Sequence, residues 1–245
     1  MFKNELTGSR LLTALHDEEL TLLAPYVEEI TLQDGYVLYQ PGDDVQHTYF
    51  PRDHAVAAFL IAMENGEAVE TALVGHEGAI GGIVSNGRLP SYSTAVVQHG
   101  GSFYRISTAA LEETKNISAH MRHLFSRYSD CLLAQVFQSV ACNARHTIEQ
   151  RAAKWLLTAV DRTGSSDIKL TQDHLSSLLG VGRTYVSCVI QRMKQSQAIM
   201  TRRGGLRVLD RVQLEKMSCS CAHLVGRHFE HVMRGVYPAT GQSIS

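Results

Sequence analysis

Polar and cationic side chains are concentrated between positions 171 and 203 of the 245-residue chain. Arg183 follows the glycine turn Gly180-Val181-Gly182, and apolar residues recur every three or four positions on both sides of that turn. This pattern predicts two amphipathic helices joined by a tight turn. A guanidinium at the start of the second helix can donate two parallel hydrogen bonds to guanine O6 and N7. The chemistry predicted for this segment is therefore recognition of base edges in the major groove of duplex DNA.

The other outward-facing residues divide by their position along the two helices. Thr184 and Cys188 lie one helical turn apart, and we expect them to share the base-contacting edge with Arg183. The remaining candidates are better placed to contact phosphates, which fix the register of a protein on DNA without reading its sequence. These phosphate candidates are Thr171, Tyr185, Ser187, Arg192 and Lys194.

A basic segment follows the second helix. Residues 202–209, RRGGLRVL, predict a two-stranded wing that turns at its glycines, with Arg202 and Arg203 beside the DNA backbone. Residues 151–216 hold 12 lysines and arginines and 5 acids, a net charge of +7 in a chain whose total is -1. This asymmetry is expected of a polyanion-binding domain joined to an acidic regulatory domain. The alternative is a solvated basic face that has no partner.

The region before these helices has the residue pattern of a β domain. Short runs rich in Val, Ile, Thr, Tyr and Phe are separated by turn-forming pairs. The pairs are Asp34-Gly35, Pro41-Gly42, Asn65-Gly66, Asn86-Gly87 and Gly100-Gly101. They predict one antiparallel sandwich or barrel over residues 28–106.

Helical patterns flank the β region. Leucines at helical spacing predict an amphipathic helix over 6–24, and the absence of Gly and Pro from 111 to 161 predicts a long helix. Residues 151–159 continue as a second amphipathic helix that starts the basic domain. Trp155 is expected in the core of the domain that follows. An apolar seam with a period of about 3.5 residues favours a coiled-coil-like homodimer over packing on the chain's own β domain. The seam consists of Ile117, Met121, Leu124, Tyr128, Cys131, Leu132, Gln135 and Val136.

The two-helix segment resembles the DNA-binding domain of the Crp/Fnr family of transcription regulators. The resemblance is carried by Leu170-Thr171-Gln172, Gly180-Val181-Gly182-Arg183, Tyr185-Val186-Ser187 and the closing Leu209-Asp210. Family members commonly carry Glu at the position of Thr184 and Arg at the position of Cys188. The family's usual DNA half-site is therefore not transferred to this chain.

The resemblance implies an α+β fold in four parts. These are a cyclic-nucleotide-binding-like sensor domain with an antiparallel β jelly roll (1–110), a dimerisation helix and linker (111–147), a winged helix-turn-helix domain (148–216) and a tail helix (217–245). It also implies a homodimer that binds double-stranded DNA and contacts RNA polymerase.

The same resemblance raises the question of an effector. Cyclic-nucleotide binders of this fold use a Gly-Glu pair and an Arg-Ser/Thr-Ala tripeptide, which align here with Gly82-Ile83 and Ser93-Thr94-Ala95. Both charged residues are missing, and no acid occurs from 79 to 111. Because a buried phosphate needs a paired cation, cyclic AMP in the usual mode is not expected.

The candidate ligand pocket comprises Gly78, Gly81, Gly82, Ile83, Arg88, Ser93 and Thr94. The glycines of this set could bind another anion through backbone amides, and Arg88 could contact a phosphate from a shifted loop. We favour the alternative that the glycines form a junction between strands. No cofactor is predicted, and the sequence does not identify the effector.

Sulfur and imidazole groups near the carboxyl terminus are of the types that zinc or iron accepts. They are Cys219, Cys221, His223, His228 and His231. The Cys-x-Cys spacing is tight and only one further ligand lies close in sequence, so we favour a tail helix with incidental cysteines and predict no metal. Haem has candidate ligands in His47, His54, His76 and His99, and nothing distinguishes one of them from the others.

Other classes of protein are disfavoured. The chain has none of the common phosphate-binding, nucleophile-elbow or zinc-protease motifs, so we predict no catalytic residues. It lacks both a secretory leader pattern and an apolar run long enough for a membrane, and its five cysteines show no disulfide framework. We therefore expect a cytoplasmic protein without a membrane partner. An adaptor whose helix-turn-helix contacts only protein is the remaining alternative.

Overall fold

A computed structural model describes residues 6–64, 66, 68–83 and 90–236 of the chain. The strands are β1 (Glu28–Leu32), β2 (Val37–Tyr39), β3 (His47–Pro51), β4 (Val56–Ala62), β5 (Ala68–Val74), β6 (Thr94–His99), β7 (Gly101–Ser107), β8 (Asp167–Ile168), β9 (Ile199–Arg202) and β10 (Gly205–Val208). The helices are α1 (Arg10–Thr13), α2 (Asp17–Leu23), α3 (Thr108–Ile117), α4 (Ala119–Arg145), α5 (Ile148–Thr163), α6 (Gln172–Leu179), α7 (Arg183–Gln195), α8 (Arg211–Met217) and α9 (Cys221–Val232).

Strands β1 to β7 form two antiparallel sheets with the orders β1-β7-β3 and β2-β6-β4-β5. Apolar side chains from both sheets share one core, in which Phe103 of the first sheet lies with Ala57 and Val97 of the second. Burial of this layer is the main force that holds the sheets together. The antiparallel sandwich predicted over 28–106 is confirmed.

The single amino-terminal helix predicted over 6–24 is wrong. The chain forms the short helices α1 and α2 and then a 3-10 turn over Ala24–Tyr26. His16 caps α2, and its N–H donates to Glu19 Oε2 at 2.8 Å. The acids at the start of α2 also favour a new helix terminus at this point.

The long helix predicted from residue 111 is interrupted, because two hydroxyl side chains start new helices within it, while the second helix predicted over 151–159 lies within α5. Ser118 separates α3 from α4, and its Oγ accepts a hydrogen bond from the Met121 N–H at 3.0 Å. Thr147 opens α5, and its Oγ1 accepts from the Gln150 N–H at 3.2 Å while Gln150 Oε1 accepts from the Thr147 N–H at 3.0 Å. Both are ordinary helix-start signals, and they matter more here than the lack of Gly and Pro.

The predicted apolar seam faces the interior of its own chain. Met121, Leu124, Tyr128 and Cys131 are buried in a core shared with α1, α2 and the β domain, so they are not available to a second copy. Ile117, at the end of α3, is 70% exposed and lies outside this core. The prediction that this seam forms a dimer is therefore wrong in its residues.

A different stripe of α4 carries exposed apolar side chains. Leu133, Phe137 and Val140 are 48%, 64% and 65% exposed, and they follow one another at spacings of four and three residues. Such spacing places them along one line of the helix. Large apolar side chains aligned in this way on a surface mark a region that associates with other protein.

The carboxy-terminal domain has its own core, formed by α5 to α8 and the antiparallel sheet β8-β10-β9. Leu156 of α5, Leu175 of α6 and Ile190 of α7 are buried in it. Trp155 is half-buried at the edge of this core. Among the residues that the structure describes, none of the helices combines the length and the apolar character that a membrane crossing requires.

Polar contacts join this domain to the β domain. Arg162 Nη2 lies 2.9 Å from Glu77 Oε1, and Trp155 Nε1–H donates to Glu70 Oε1 at 2.9 Å. Burial opposes ionisation of Glu77, yet Arg162 and the Gly75 N–H hold the pKa of that carboxyl below its ordinary value. The two domains are therefore linked by directional polar contacts.

Candidate nucleic-acid interface

Helices α6 and α7 are joined by a three-residue turn. Thr171 caps α6 by accepting a hydrogen bond from the His174 N–H at 3.1 Å, as the sequence predicts. Gly180 ends α6 with φ of 63°, a left-handed conformation that favours glycine. Val181 is half-buried against the core, whereas Gly182 has an ordinary φ of -65° and open space at its Cβ position. The turn therefore requires glycine at Gly180 but not at Gly182.

Helix α7 has one apolar face and one solvent face. Val186, Val189, Ile190 and Met193 are buried in the core of the domain. The opposite face exposes most of the predicted contact residues, which are Arg183, Thr184, Tyr185, Cys188 and Arg192. Burial of the first face fixes the rotation of the helix, so the exposed row is presented as one edge.

Arg183 is the first residue of α7, and its side chain is 68% exposed. Its Nη1 lies 3.1 Å from Asp173 Oδ1 on α6. Both members of this ion pair are exposed, so the pair contributes little to stability. A guanidinium held so weakly is free to exchange its carboxylate partner for a base or a phosphate.

Two predicted phosphate contacts are less accessible than expected. Ser187 and Lys194 are half-buried. Ser187 Oγ donates to Gln172 Oε1 at 2.8 Å and thereby ties α7 to α6. A phosphate contact by Ser187 would have to compete with this bond. On the exposed face, Arg192 Nη1 lies 3.4 Å from Glu149 Oε2 at the start of α5.

The wing predicted from the sequence is present. Strands β9 and β10 pair antiparallel with Arg202 opposite Gly205, so Arg203 and Gly204 form the exposed turn. Arg202 Nε lies 3.5 Å from Asp167 Oδ1 of β8, and Arg207 also pairs with Asp167. The hydrogen bond from Arg207 holds the pKa of Asp167 below its ordinary value. The wing therefore places Arg203 at its tip.

Residues 150–217 match the family model described as the Crp-like helix-turn-helix domain. The basic domain is therefore similar to the Crp-like helix-turn-helix domain over nearly its whole length. No curated protein matches the chain in sequence.

Solved structures with the same fold cover most of the chain. A CRP-family transcriptional regulator from Thermus thermophilus has a TM-score of 0.66 at 15% identity and covers 77% of this chain and 96% of its own. A CRP/FNR-family regulator from the same organism has a TM-score of 0.64 at 18% identity, with coverages of 78% and 98%. The c-di-GMP responsive global regulator CLP of Xanthomonas campestris has a TM-score of 0.65 at 10% identity and covers 80% of this chain and 100% of its own.

At such low identity these structures establish the fold, and the Crp-like domain establishes the DNA-binding module. Together they show a Crp/Fnr-like fold whose carboxy-terminal part is similar to the Crp-like helix-turn-helix domain.

The glycine-rich segment before β6 is tightly packed. A Cβ on Gly78 would lie 2.3 Å from Tyr128 Oη, whose hydroxyl donates to the Ala79 carbonyl at 3.0 Å. Gly81, Gly82 and Ile83 continue this segment, and Ile83 is buried. The absence of a side chain at Gly78 is thus what lets α4 approach the β domain.

The rest of the predicted ligand pocket is divided between the loop before β6 and β6 itself. Ser93 is half-buried and its N–H donates to Ser91 Oγ at 3.2 Å, while Thr94 pairs with Leu60 in the sheet. Arg88 lies outside the described residues. A ligand at this position stays a prediction.

A cavity of about 290 Å³ lies between β5, α4, α5 and α9, and sequence reasoning did not find it. Glu70 and Trp155 line it together with His76 and Gln135. Burial raises the pKa of Glu70 to about 7, against the opposing effects of the Trp155 hydrogen bond and the nearby Arg162. Glu70 Oε2 is buried with no hydrogen-bond partner among the described residues. No local signal reveals the cavity, because its walls come from distant parts of the chain.

The cysteines near the carboxyl terminus have closer neighbours than the sequence indicates. Cys219 and Cys221 lie beside Cys142 and His146, which come from the end of α4, and the four ligand atoms lie within 4.8 Å of one another. The expectation that only one further ligand is close is therefore wrong. That expectation considered neighbours along the chain, whereas the fold supplies two ligands more than 70 residues away.

Proposed function

We propose that this protein is a homodimeric, sequence-specific transcription regulator that presents two α7 helices to successive major grooves about 34 Å apart. The observation that carries the proposal is the exposed edge of Arg183, Thr184 and Cys188 on a helix whose other face is buried. Arg183 would contact guanine, and Thr184 and Cys188 would contact neighbouring bases. Tyr185, Arg192 and Arg203 would contact phosphates on either side.

The dimer in this proposal is formed through α4. Leu133, Phe137 and Val140 supply an aligned apolar stripe on its exposed side. Four residues of the predicted seam are instead buried within the chain, namely Met121, Leu124, Tyr128 and Cys131. Two such helices packed together would bury these side chains and hold the two DNA-binding domains at a fixed separation.

The signal that controls binding, in this proposal, is not cyclic AMP held in the usual mode. The two charged residues that such a ligand requires are missing from the sequence at Gly82-Ile83 and Ser93-Thr94. A different small molecule or a protein partner would act by favouring one pose of the DNA-binding domain, which requires different affinities for the two poses. The protein would work in the cytoplasm with RNA polymerase and without catalysis.

Selection of bound duplexes from a random DNA pool by the full-length protein tests this proposal. We expect a partly palindromic motif with half-sites about one helical turn apart, and a steep loss of affinity with added salt. An unenriched pool together with salt-insensitive binding would show that the helix-turn-helix contacts protein instead. Calorimetric titration with cyclic AMP tests the statement about the controlling signal. Binding at micromolar affinity would overturn that statement and leave the proposed DNA binding unaffected.

A further inference from the structure

Four side chains of metal-ligand type converge where the DNA-binding domain joins α4. Cys142 lies in the last turn of α4, and His146 is the residue that ends this helix. Cys219 lies between α8 and α9, and Cys221 is the first residue of α9. Their sulfur and ring-nitrogen atoms lie within 4.8 Å of one another, although they come from two segments far apart in sequence.

The distances between these atoms fit the coordination sphere of one ion. Cys142 Sγ lies 3.7 Å from Cys219 Sγ, and Cys221 Sγ lies 3.5 Å from His146 Nδ1. Tetrahedral zinc with Zn–S of about 2.3 Å and Zn–N of about 2.0 Å separates its ligand atoms by roughly 3.5 to 3.8 Å. An iron–sulfur cluster would hold its cysteines farther apart, because the cluster's own atoms lie between them.

The surroundings of the four residues also suit a metal thiolate. Cys142 and Cys221 are 0% and 2% exposed, so water is excluded from their side. Gln138 Nε2–H donates to Cys221 Sγ at 3.1 Å, and Lys154 Nζ lies 3.6 Å from Cys142 Sγ. Zn²⁺ with three thiolates and a neutral imidazole carries a net charge of -1, which the ammonium of Lys154 balances. Donors of this kind orient metal ligands and stabilise their charge.

We propose that Cys142, His146, Cys219 and Cys221 bind one Zn²⁺ ion per chain. The ligands flank the DNA-binding domain, which begins with α5 at Ile148 and whose last helix, α8, ends at Met217. The ion therefore joins both ends of the domain to the end of α4. Binding releases the thiol protons and holds together two segments that the unfolded chain does not bring close, so the metal stabilises the fold.

Titration of the reduced, metal-free full-length protein with Co²⁺, a spectroscopic substitute for zinc, tests the site. We expect one Co²⁺ per chain, with the intense visible absorption of a tetrahedral ion and sulfur-to-cobalt charge transfer, and displacement of this spectrum by one equivalent of Zn²⁺. Cys219→Ser should weaken binding by at least tenfold and reduce the charge-transfer absorption. Cys131→Ala is the matched control, because Cys131 is a buried cysteine outside the cluster, and it should keep the full spectrum.

A ligand exchange keeps the test valid if Cys219→Ser does not fold. His146→Cys replaces nitrogen by sulfur, so it should still bind one Co²⁺ and show stronger charge-transfer absorption. Zn²⁺ should also raise the unfolding temperature of the wild-type protein and of Cys131→Ala. Absence of stoichiometric metal, a spectrum that does not change in His146→Cys, or a Cys142–Cys219 disulfide as the sole stable form in air would overturn the proposal.

Discussion

Arg183 combines exposure with a fixed starting point at the first position of α7. Removal of its guanidinium in Arg183→Ala should cost about 1–3 kcal/mol of binding to the preferred site and relax the preference at one base position of each half-site. Competition binding against a set of single-base variants of the selected site measures both effects.

Arg192→Ala is the matched control for this substitution. Arg192 is also an exposed cation of α7, but it lies more than two turns further along the helix, where we expect a phosphate contact. Its loss should weaken binding to all sequences by a similar factor. If Arg183→Ala behaves in the same uniform way, then Arg183 contacts phosphate and the assignment as a base contact is wrong.

The raised pKa of Glu70 predicts that the stability of the fold depends on pH. Its pKa in the folded protein is raised from 4.5 to about 7, so the folded state binds its proton more tightly than the unfolded state. The stability linked to the protonated form is complete below pH 4.5 and is lost as the pH rises towards 7. Glu70→Gln keeps an acceptor for Trp155 without the charge, so it should be more stable above pH 7 by up to about 3 kcal/mol.

Urea unfolding from pH 4.5 to about pH 8 measures this effect. Glu113→Gln on the exposed side of α3 serves as the control, and its pH profile should follow the wild type. A Glu70→Gln profile parallel to the wild type would show that the Glu70 carboxyl keeps its ordinary pKa in the folded protein.

At the residue scale, the sequence predicts a residue's role best where that role depends on its neighbours along the chain. The Thr171 cap, the left-handed Gly180 and the outward Arg183 all follow from helix-turn-helix geometry. Prediction fails where partners come from elsewhere in the fold. Nothing near Glu70 indicates that Trp155 will bury it, and nothing near Cys219 indicates Cys142.

Helix α4 has two apolar faces, and they have different roles. One face is buried against the chain's own core, and the other carries Leu133, Phe137 and Val140. Periodicity alone predicts an apolar stripe but not its partner, which is why the sequence does not reveal that Met121, Leu124 and Tyr128 pack within their own chain. The caps at Ser118 and Thr147 were readable in the sequence, since hydroxyl residues at these positions are common helix starts.

The exposed stripe predicts the effect of a single charge on assembly. Phe137→Glu should convert the proposed dimer to a monomer at micromolar concentration, because it would place two carboxylates in an apolar contact. Sedimentation equilibrium measures the change. Val212→Glu introduces the same charge at an exposed apolar residue of α8, away from α4, and should leave the assembly unchanged. A Phe137→Glu protein that stays dimeric would move the interface away from this stripe.

The whole molecule separates charge between its two parts, with a net charge of +7 over residues 151–216. DNA affinity should therefore fall steeply with salt. Each phosphate contact contributes about 0.9 to the slope of log K against log salt concentration. Because a dimer carries two copies of each wing, Arg203→Ala should reduce the slope by about 2 and leave the preferred sequence unchanged. Fluorescence anisotropy over a salt series measures this, and an unchanged slope would remove the wing tip from the interface.

Two extended residues, His146 and Thr147, separate the end of α4 from the start of α5. This short break is the pivot between the DNA-binding domain and α4, the helix that we propose forms the dimer. A small rotation of the domain at this pivot moves α7 by a larger distance, because α7 lies away from the pivot. The preferred number of base pairs between half-sites should therefore depend on the angle at which these two residues hold the domain.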